Sequence, residues 1–338
     1  MTKKKLPGLS VVIPCYKRPG QVSRCLRLLL NSSGLGKQFK LEIILVDDSP
    51  NSKIERRVEK LASESPDSVS FKYKKPRKNA GIAKARNIGV GLASNKIIVA
   101  TDSDIEVEPD TVLETLLTFE KNPAAAMVSG NVYWLGGLVD GKLDRPRRHD
   151  RRVKVGKTTY IEMLHGRYVA FLRNAFKKVG GYDSLLFPMQ GEGPDLSIRF
   201  WRAGCPLVYN PEIRVHHLSG YAKREKIKSP YLYHGWNMHR TALMFRSILL
   251  YFYKYGCLEP RKSNWMKTIA LESARNFGEK SGYMILSSLA GTFEWISKNY
   301  NKIEKSKRKI PKKYDFKPYD VFTDRLLLMR CIHASGKR

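Results

Sequence analysis

Acidic residues are scarce in this chain. Its 338 residues hold 31 Asp and Glu against 62 Lys and Arg, a formal net charge of +31. That balance excludes an acidic, solvating chain and points to polyanionic partners: nucleic acid, an anionic membrane face or phosphorylated substrates. The alternative is a lysine-rich soluble surface with no such partner. Long apolar runs are also missing. No stretch reaches the roughly 18 apolar residues that a spanning helix needs. The best candidates, 241–253 and 281–296, are broken by Arg246 and Glu294, so they suit a bilayer surface rather than its interior. The cysteines are five, Cys15, Cys25, Cys205, Cys257 and Cys331, with no C-x-x-C spacing. An odd count without that spacing argues against a disulfide framework or a zinc site and for reduced thiols in a cytosolic protein. Glutamine occurs only at 21, 38 and 190, a scarcity shared with heat-adapted chains. The basic start, 1–5, leads into an apolar run, 9–13, that is short and meets Pro14; no leader peptide is expected. No internal repeat is visible.

What is present is a globular composition, 42% hydrophobic and 28% charged, sufficient for one large domain or two ordinary ones. Apolar runs at 9–13, 41–46 and 96–100 read as buried strands, and 69–73 as an alternating one. Helical periodicity over 21–30, 54–62 and 82–93 falls between them. Strands this continuously apolar are covered on both faces, as in an open, mostly parallel sheet with flanking helices. Further along, a helix is expected over 110–120, strands near 126–133 and 168–171, a basic loop over 138–157, helices at 174–179 and 196–203, and a last strand pair over 206–215. Beyond about 221 the pattern turns helical: 229–255 and 263–300 read as helices, and 302–317 as a basic linker or tail. The expected division is a catalytic α/β domain over 1–220 and a helical, basic region over 221–338.

Ligands bind parallel sheets beyond the carboxyl ends of their strands. Three polar clusters occupy those ends: Pro14-Cys15-Tyr16, Asp47-Asp48 and Asp102-Ser103-Asp104. In an extended segment Asp102 and Asp104 point to the same side, and two carboxylates that close repel unless a cation lies between them. Oxygen ligands suit Mg²⁺ or Mn²⁺, which usually bridge to phosphates. Asp47 and Asp48 suit a base or ribose, and Arg86 on its helix suits a phosphate. Solvated loop aspartates and a surface salt bridge at Arg86 are the plainer readings.

The segments SVVIPCYKRPGQVSRCLRLLL, EIILVDDSP, GIAKARNIGVGLAS, ATDSDIEVEPD and GGYDSLLFPMQGEGPDLSIRFWRAG, in that order over about 9–220, together resemble a family 2 glycosyltransferase of the GT-A fold. The resemblance implies transfer of a sugar from a nucleotide-sugar to an acceptor hydroxyl with inversion, assisted by Mn²⁺ or Mg²⁺. It places Pro14, Tyr16 and Asp48, with Asp47 beside them, around the nucleobase and ribose. Arg86 and Asn87 match an R-N motif near the donor. Asp102, with Ser103, would line the sugar-ribose side, and Asp104 would meet the metal. The family's Glu-Asp-x-Asp-Leu motif reads Glu192-Gly193-Pro194-Asp195-Leu196 here, so Glu192 or Asp195 is the expected general base, with Asp195 also a candidate helix N-cap. Of His216 and His217, the His-x-x-Gly spacing favours His217 as the metal-side residue. Gly180-Gly181-Tyr182-Asp183 resembles the acceptor-side turn.

Two features extend the expectation. The Gln-x-x-Arg-Trp motif and spanning helices of processive synthases are not seen, which favours transfer of a single sugar. The aromatic and basic tail, with lysines clustered over 305–313, suits an anionic leaflet. A glycan or lipid-linked acceptor and a cytoplasmic enzyme peripheral to the membrane are therefore expected, with no nucleic-acid partner. The rivals are a sugar-nucleotide pyrophosphorylase, disfavoured by the single glycine of PCYKRPG, and a basic nucleic-acid-binding protein, for which no module is recognisable.

Overall fold

The computed structural model describes residues 4–50, 54–134, 151–164, 166–188, 191–218, 246–247, 250–251, 254–255, 279–316 and 325–335. Much of the expected helix at 229–255, the first part of that at 263–300, and the first part of the basic loop at 138–157 lie outside the described residues.

The strands are β1 (Leu9–Cys15), β2 (Leu41–Asp47), β3 (Val69–Lys74), β4 (Ile97–Thr101), β5 (Ile105–Val107), β6 (Met127–Trp134), β7 (Arg152–Val155), β8 (Thr158–Ile161), β9 (Tyr168–Leu172) and β10 (Leu207–His217). They form one mixed sheet in the order β3-β2-β1-β4-β9-β6-β10-β8-β7, with β5 added against β10. The half β3-β2-β1-β4 is parallel throughout. Every residue of β1, β2 and β4 is buried, as continuous apolar runs require. β9 enters antiparallel between β4 and β6, and β6 and β10 run parallel to each other. Two antiparallel steps restore direction, so β1, β2, β4, β6 and β10 all end at one edge of the sheet.

The helices are α1 (Pro19–Leu30), α2 (Ile54–Ser63), α3 (Ile82–Leu92), α4 (Thr111–Lys121), α5 (Arg173–Lys178), α6 (Glu192–Arg202), α7 (Glu279–Arg308) and α8 (Arg325–Ser335). α1 turns Val22, Cys25, Leu26 and Leu29 inward. α3 lies close on the sheet because Gly89 carries no side chain: a Cβ there would meet Val12 Cγ1 at 2.3 Å. Cys15, Cys25, Cys205 and Cys331 are buried thiols outside any disulfide; burial pushes Cys25 up to about 12. None of the helices is long and apolar enough to cross a membrane among the described residues.

Three expectations change. The end of the basic loop is the β7–β8 hairpin, short and half-exposed, whose alternation is hidden among arginines and lysines. The lysines from 302 to 308 belong to the last turns of α7 rather than a linker. The segment after them is docked: Tyr314 N donates to Arg202 O at 3.0 Å, Arg202 donates to the carbonyls of Pro311 and Phe316, and Phe316 packs in the core against Trp201.

Gly89→Ala should lose about 1–2 kcal/mol, the clash with Val12 outweighing the ~1 kcal/mol gained in helix propensity. Urea unfolding followed by circular dichroism measures it as a lower midpoint at unchanged slope.

Candidate active site

β4 stops at Thr101, and the chain turns through Asp102, Ser103 and Asp104 into β5. β5 pairs antiparallel with the end of β10, His217 opposite Ile105, and Leu218 N donates to Asp104 O at 2.8 Å. That pairing brings Asp104 beside His217: Nε2 and Oδ1 stand 3.4 Å apart. Asp102, Asp104 and His217 each offer a ligand atom within 4.8 Å of the others. Two carboxylates and an imidazole at that spacing fit a divalent cation such as Mn²⁺. His216 faces elsewhere, stacked on Tyr133 and 2.9 Å from Glu108 Oε1. Ser103, half-buried, sits between the two aspartates.

Asp102 differs from Asp104 in its company. Its Oδ1 accepts from Arg86 Nη2 at 2.6 Å and its Oδ2 from Arg167 Nη1 at 2.7 Å. Burial by itself raises this carboxyl; Arg86 and Arg167 overcome that and hold it below the ordinary range. Among the described residues Asp104 is met only at longer range, by Arg18 Nη1 at 3.7 Å besides His217. Asp104 and His217 are thus the more available ligands, with Asp102 fixed beside them.

Arg86 is not aimed at solvent or at an incoming phosphate. It is 1% exposed. Besides Asp102, its Nη1 donates to Glu192 Oε1 at 2.9 Å and its Nη2 to Gly166 O at 2.6 Å. Burial works against its charge, but Asp102 and other neighbours, Glu192 among them, raise its pKa further. Asn87, next along α3, is likewise inward: its amide group exchanges hydrogen bonds with the backbone of Tyr182, at 2.8 and 2.9 Å. The R-N pair is a strut joining β4, α6 and the 180–183 turn.

Glu192 opens α6. Burial, opposed by Arg86, raises its carboxyl above the ordinary value, and its other oxygen accepts from no other side chain among the described residues. Gly193 follows because a Cβ there would lie 2.9 Å from Leu164 O; this packing has no room for an aspartate. Asp195 is placed quite differently from a base. It is fully buried, with Oδ2 bound by Arg199 and Oδ1 by Lys254 at 2.7 Å and Tyr255 at 2.9 Å. Nor is it the N-cap of α6, which is Gly191. A carboxylate clamped by two cations is an anchor, and Glu192 is left as the candidate base.

At the β1 and β2 ends, Pro14 is buried in the β1–β2 ladder and Tyr16 stands 49% exposed at the rim. Asp47 is fully buried, accepting from Ser49 N at 3.0 Å and Tyr73 OH at 2.7 Å. Asp48 accepts from Ala80 N and Gly81 N at 2.6 and 2.9 Å, pinning the loop before α3. Lys17 and Arg18 both adopt left-handed backbone, φ 58° and 57°, a strained arrangement for such side chains. It turns Arg18 toward Asp104. The sequence carried no sign of it, nor of Arg167, which has no local motif.

Residues 10–180 match the model of glycosyl transferase family 2, and the chain belongs to that family. It is 27% identical over 161 residues to the glucosyl-dolichyl phosphate glucuronosyltransferase of Haloferax volcanii, covering 41% of this chain and 48% of that one. The chain spans about half the length of the curated relatives it matches. Among solved structures, GalNAc-T7 with UDP, GalNAc and Mn²⁺ superposes with a TM-score of 0.55 at 19% identity, over 75% of this chain and 51% of that one. The mannosyltransferase PcManGT of Pyrobaculum calidifontis, with GDP-Man and Mn²⁺, gives 0.50 at 14% identity, over 97% and 86%. Both share the fold.

Arg86→Met should cost about 3–5 kcal/mol, because two buried carboxylates lose their common cation. Asp102, whose folded pKa is depressed, stabilises above its unfolded pKa and loses that contribution as pH falls through the folded value. In the variant nothing from Arg86 opposes the burial that raises Asp102 and Glu192, so these carboxyls take up protons at higher pH than in wild type. The gap between the two should therefore narrow on going from about pH 7 to about pH 4, read from urea midpoints.

Proposed function

We propose that the chain is an inverting transferase that moves one sugar from a nucleotide-sugar to an acceptor hydroxyl. The observation that carries this reading is the Asp104–His217 pair, with Asp102 beside it, at the strand-end edge of a family 2 fold. When bound there, a divalent cation neutralises charge that develops on the departing diphosphate. Asp104 and His217 are its proposed protein ligands. Arg18 and Arg167, both partly exposed and each facing one of the two aspartates, donate to phosphate oxygens. Pro14, Tyr16, Asp47 and Asp48 border the nucleoside, Tyr16 by stacking and the aspartates through the loops they hold; Asp102 and Ser103 lie on the sugar-ribose side.

Glu192 is the proposed general base. The acceptor oxygen attacks the anomeric carbon opposite the leaving group. The new carbon–oxygen bond forms as the bond to phosphate breaks, the electron pair leaves with the nucleoside diphosphate, and the hydroxyl proton passes to Glu192. A carboxyl raised by burial sits nearer the working pH and is a stronger base for it. Arg86, bound to Glu192 Oε1, fixes where the other carboxylate oxygen points.

The acceptor in this reading is a glycan carried on a lipid, as for the glucosyl-dolichyl phosphate relative. The region 221–338 then serves as the membrane-facing part, working peripherally on the cytoplasmic leaflet.

UDP or GDP should raise the melting temperature only with Mn²⁺ or Mg²⁺, and Asp104→Ala should abolish the rise; stabilisation independent of metal contradicts the donor assignment. Glu192→Gln should leave nucleotide binding intact and lower kcat by about 100-fold or more. The wild-type acid limb of kcat/KM should fall at a pH above the ordinary carboxylate range, since Glu192 must lose its proton to act. An unchanged rate in Glu192→Gln rejects it as the base.

A further inference from the structure

Away from the cleft, the last turns of α7 and the 179–185 turn enclose a cavity of about 360 Å³. Lys302, Lys305, Lys309, Lys254, Arg199 and Asp183 are among its walls, and it shares no lining residue with the Asp102–Asp104–His217 cluster or with Glu192.

Its charges fall in two layers. At the floor, Lys254 Nζ donates to Asp183 Oδ2 at 2.8 Å and to Asp195 Oδ1 at 2.7 Å, and Arg199 covers the other oxygen of Asp195. The Ser306 hydroxyl donates to Asp183 as well. Burial pushes Asp183 up, but Lys254 and these hydrogen bonds hold it below the ordinary carboxylate range. Two cations thus balance two carboxylates, and the floor is neutral.

The upper layer is not balanced. Lys302 and Lys305 share one face of the last turns of α7 and Lys309 follows just past its end; the Lys302 ammonium also donates to the neutral Asn299 Oδ1 at 3.2 Å. Among the described residues no carboxylate lies within ion-pair distance of any of the three; the neighbouring Glu304 pairs with Lys307. Like charges at this spacing repel, and an anion between them relieves the repulsion. The cavity is at the small end of ligand pockets, the size for a phosphate or diphosphate rather than for a nucleic-acid strand. Leu185, an exposed apolar side chain, also lines it.

We propose that this cavity is a second anion site, which binds a phosphate or pyrophosphate group through Lys302, Lys305 and Lys309. Leu185 beside the lysines favours a group borne on a lipid over a free one. The site does not depend on the transferase reading, because its residues are separate from the metal cluster.

Calorimetric titration of the full chain with inorganic pyrophosphate in metal-free buffer tests it. Wild type should show one site, weakened at least about ten-fold in K302Q/K305Q/K309Q and kept in K302R/K305R/K309R. Asp104→Ala should bind like wild type. Should the triple glutamine variant melt early, Lys305→Gln alone should show a smaller loss in the same direction. Flotation with phosphatidylcholine vesicles, with and without phosphatidic acid, separates the sources: lysine-dependent binding to the acidic vesicles supports a lipid-borne phosphate, and pyrophosphate binding alone supports a soluble one. Equal pyrophosphate affinity in wild type and the glutamine variants, or loss of it in Asp104→Ala, overturns the proposal. So does lysine-dependent binding of single-stranded DNA that pyrophosphate does not displace.

Discussion

The buried guanidinium of Arg86 is the contact on which the rest of the cleft depends. Asp102 comes from the end of β4, Glu192 from the start of α6 and Gly166 from the approach to β9; all three meet on one side chain. Without it Glu192 would lose the cation that pairs with it and Asp102 would keep only Arg167, and an unpaired buried charge costs far more than a paired one. A planar fork can satisfy three acceptors in fixed directions, which a lysine ammonium would do less strictly. The same residue therefore fixes the distance between the metal-side acid and the candidate base, and it leaves Asp104 as the carboxylate facing the open cleft.

A second ionic knot, Asp183, Asp195, Arg199 and Lys254, lies further along α6. Lys254 comes from beyond the family-matched segment, so the later part of the chain is tied to the core through a buried pair, and Ser306 of α7 joins the same knot. α6 is held at two points: by Arg86 at its first residue and by this knot from one turn on. A helix so fixed presents Glu192 with little freedom, which is what a positioned base requires.

Much of the architecture was legible because burial on both faces writes itself as unbroken apolar runs. β1, β2 and β4 and the helices between them could be placed from such runs and from the 3.6-residue period. The hairpin β7–β8 and the three-residue β5 could not, since they are short, half-exposed and crowded with polar residues. The gathering of Asp102, Asp104 and His217 at one edge followed from strand ends and a His-x-x-Gly spacing. The inward turn of Arg86 did not. Its partners lie 16, 80 and 106 residues away, and no local pattern distinguishes an arginine that grips buried acids from one that awaits a phosphate. Asp195 misled for the same reason: its partner Lys254 is 59 residues on. Gly193, which looked like a lost aspartate, reflects the carbonyl of Leu164 pressing on that position.

The central claim is that this cationic chain keeps a small acidic and imidazole cluster at its strand ends to grip a dication. Anomalous diffraction from crystals soaked with Mn²⁺ and UDP measures this most directly. The account predicts one strong peak bonded to Asp104 and His217, with Arg18 drawn off Asp104. A peak elsewhere, with Asp104 still facing Arg18, would contradict it.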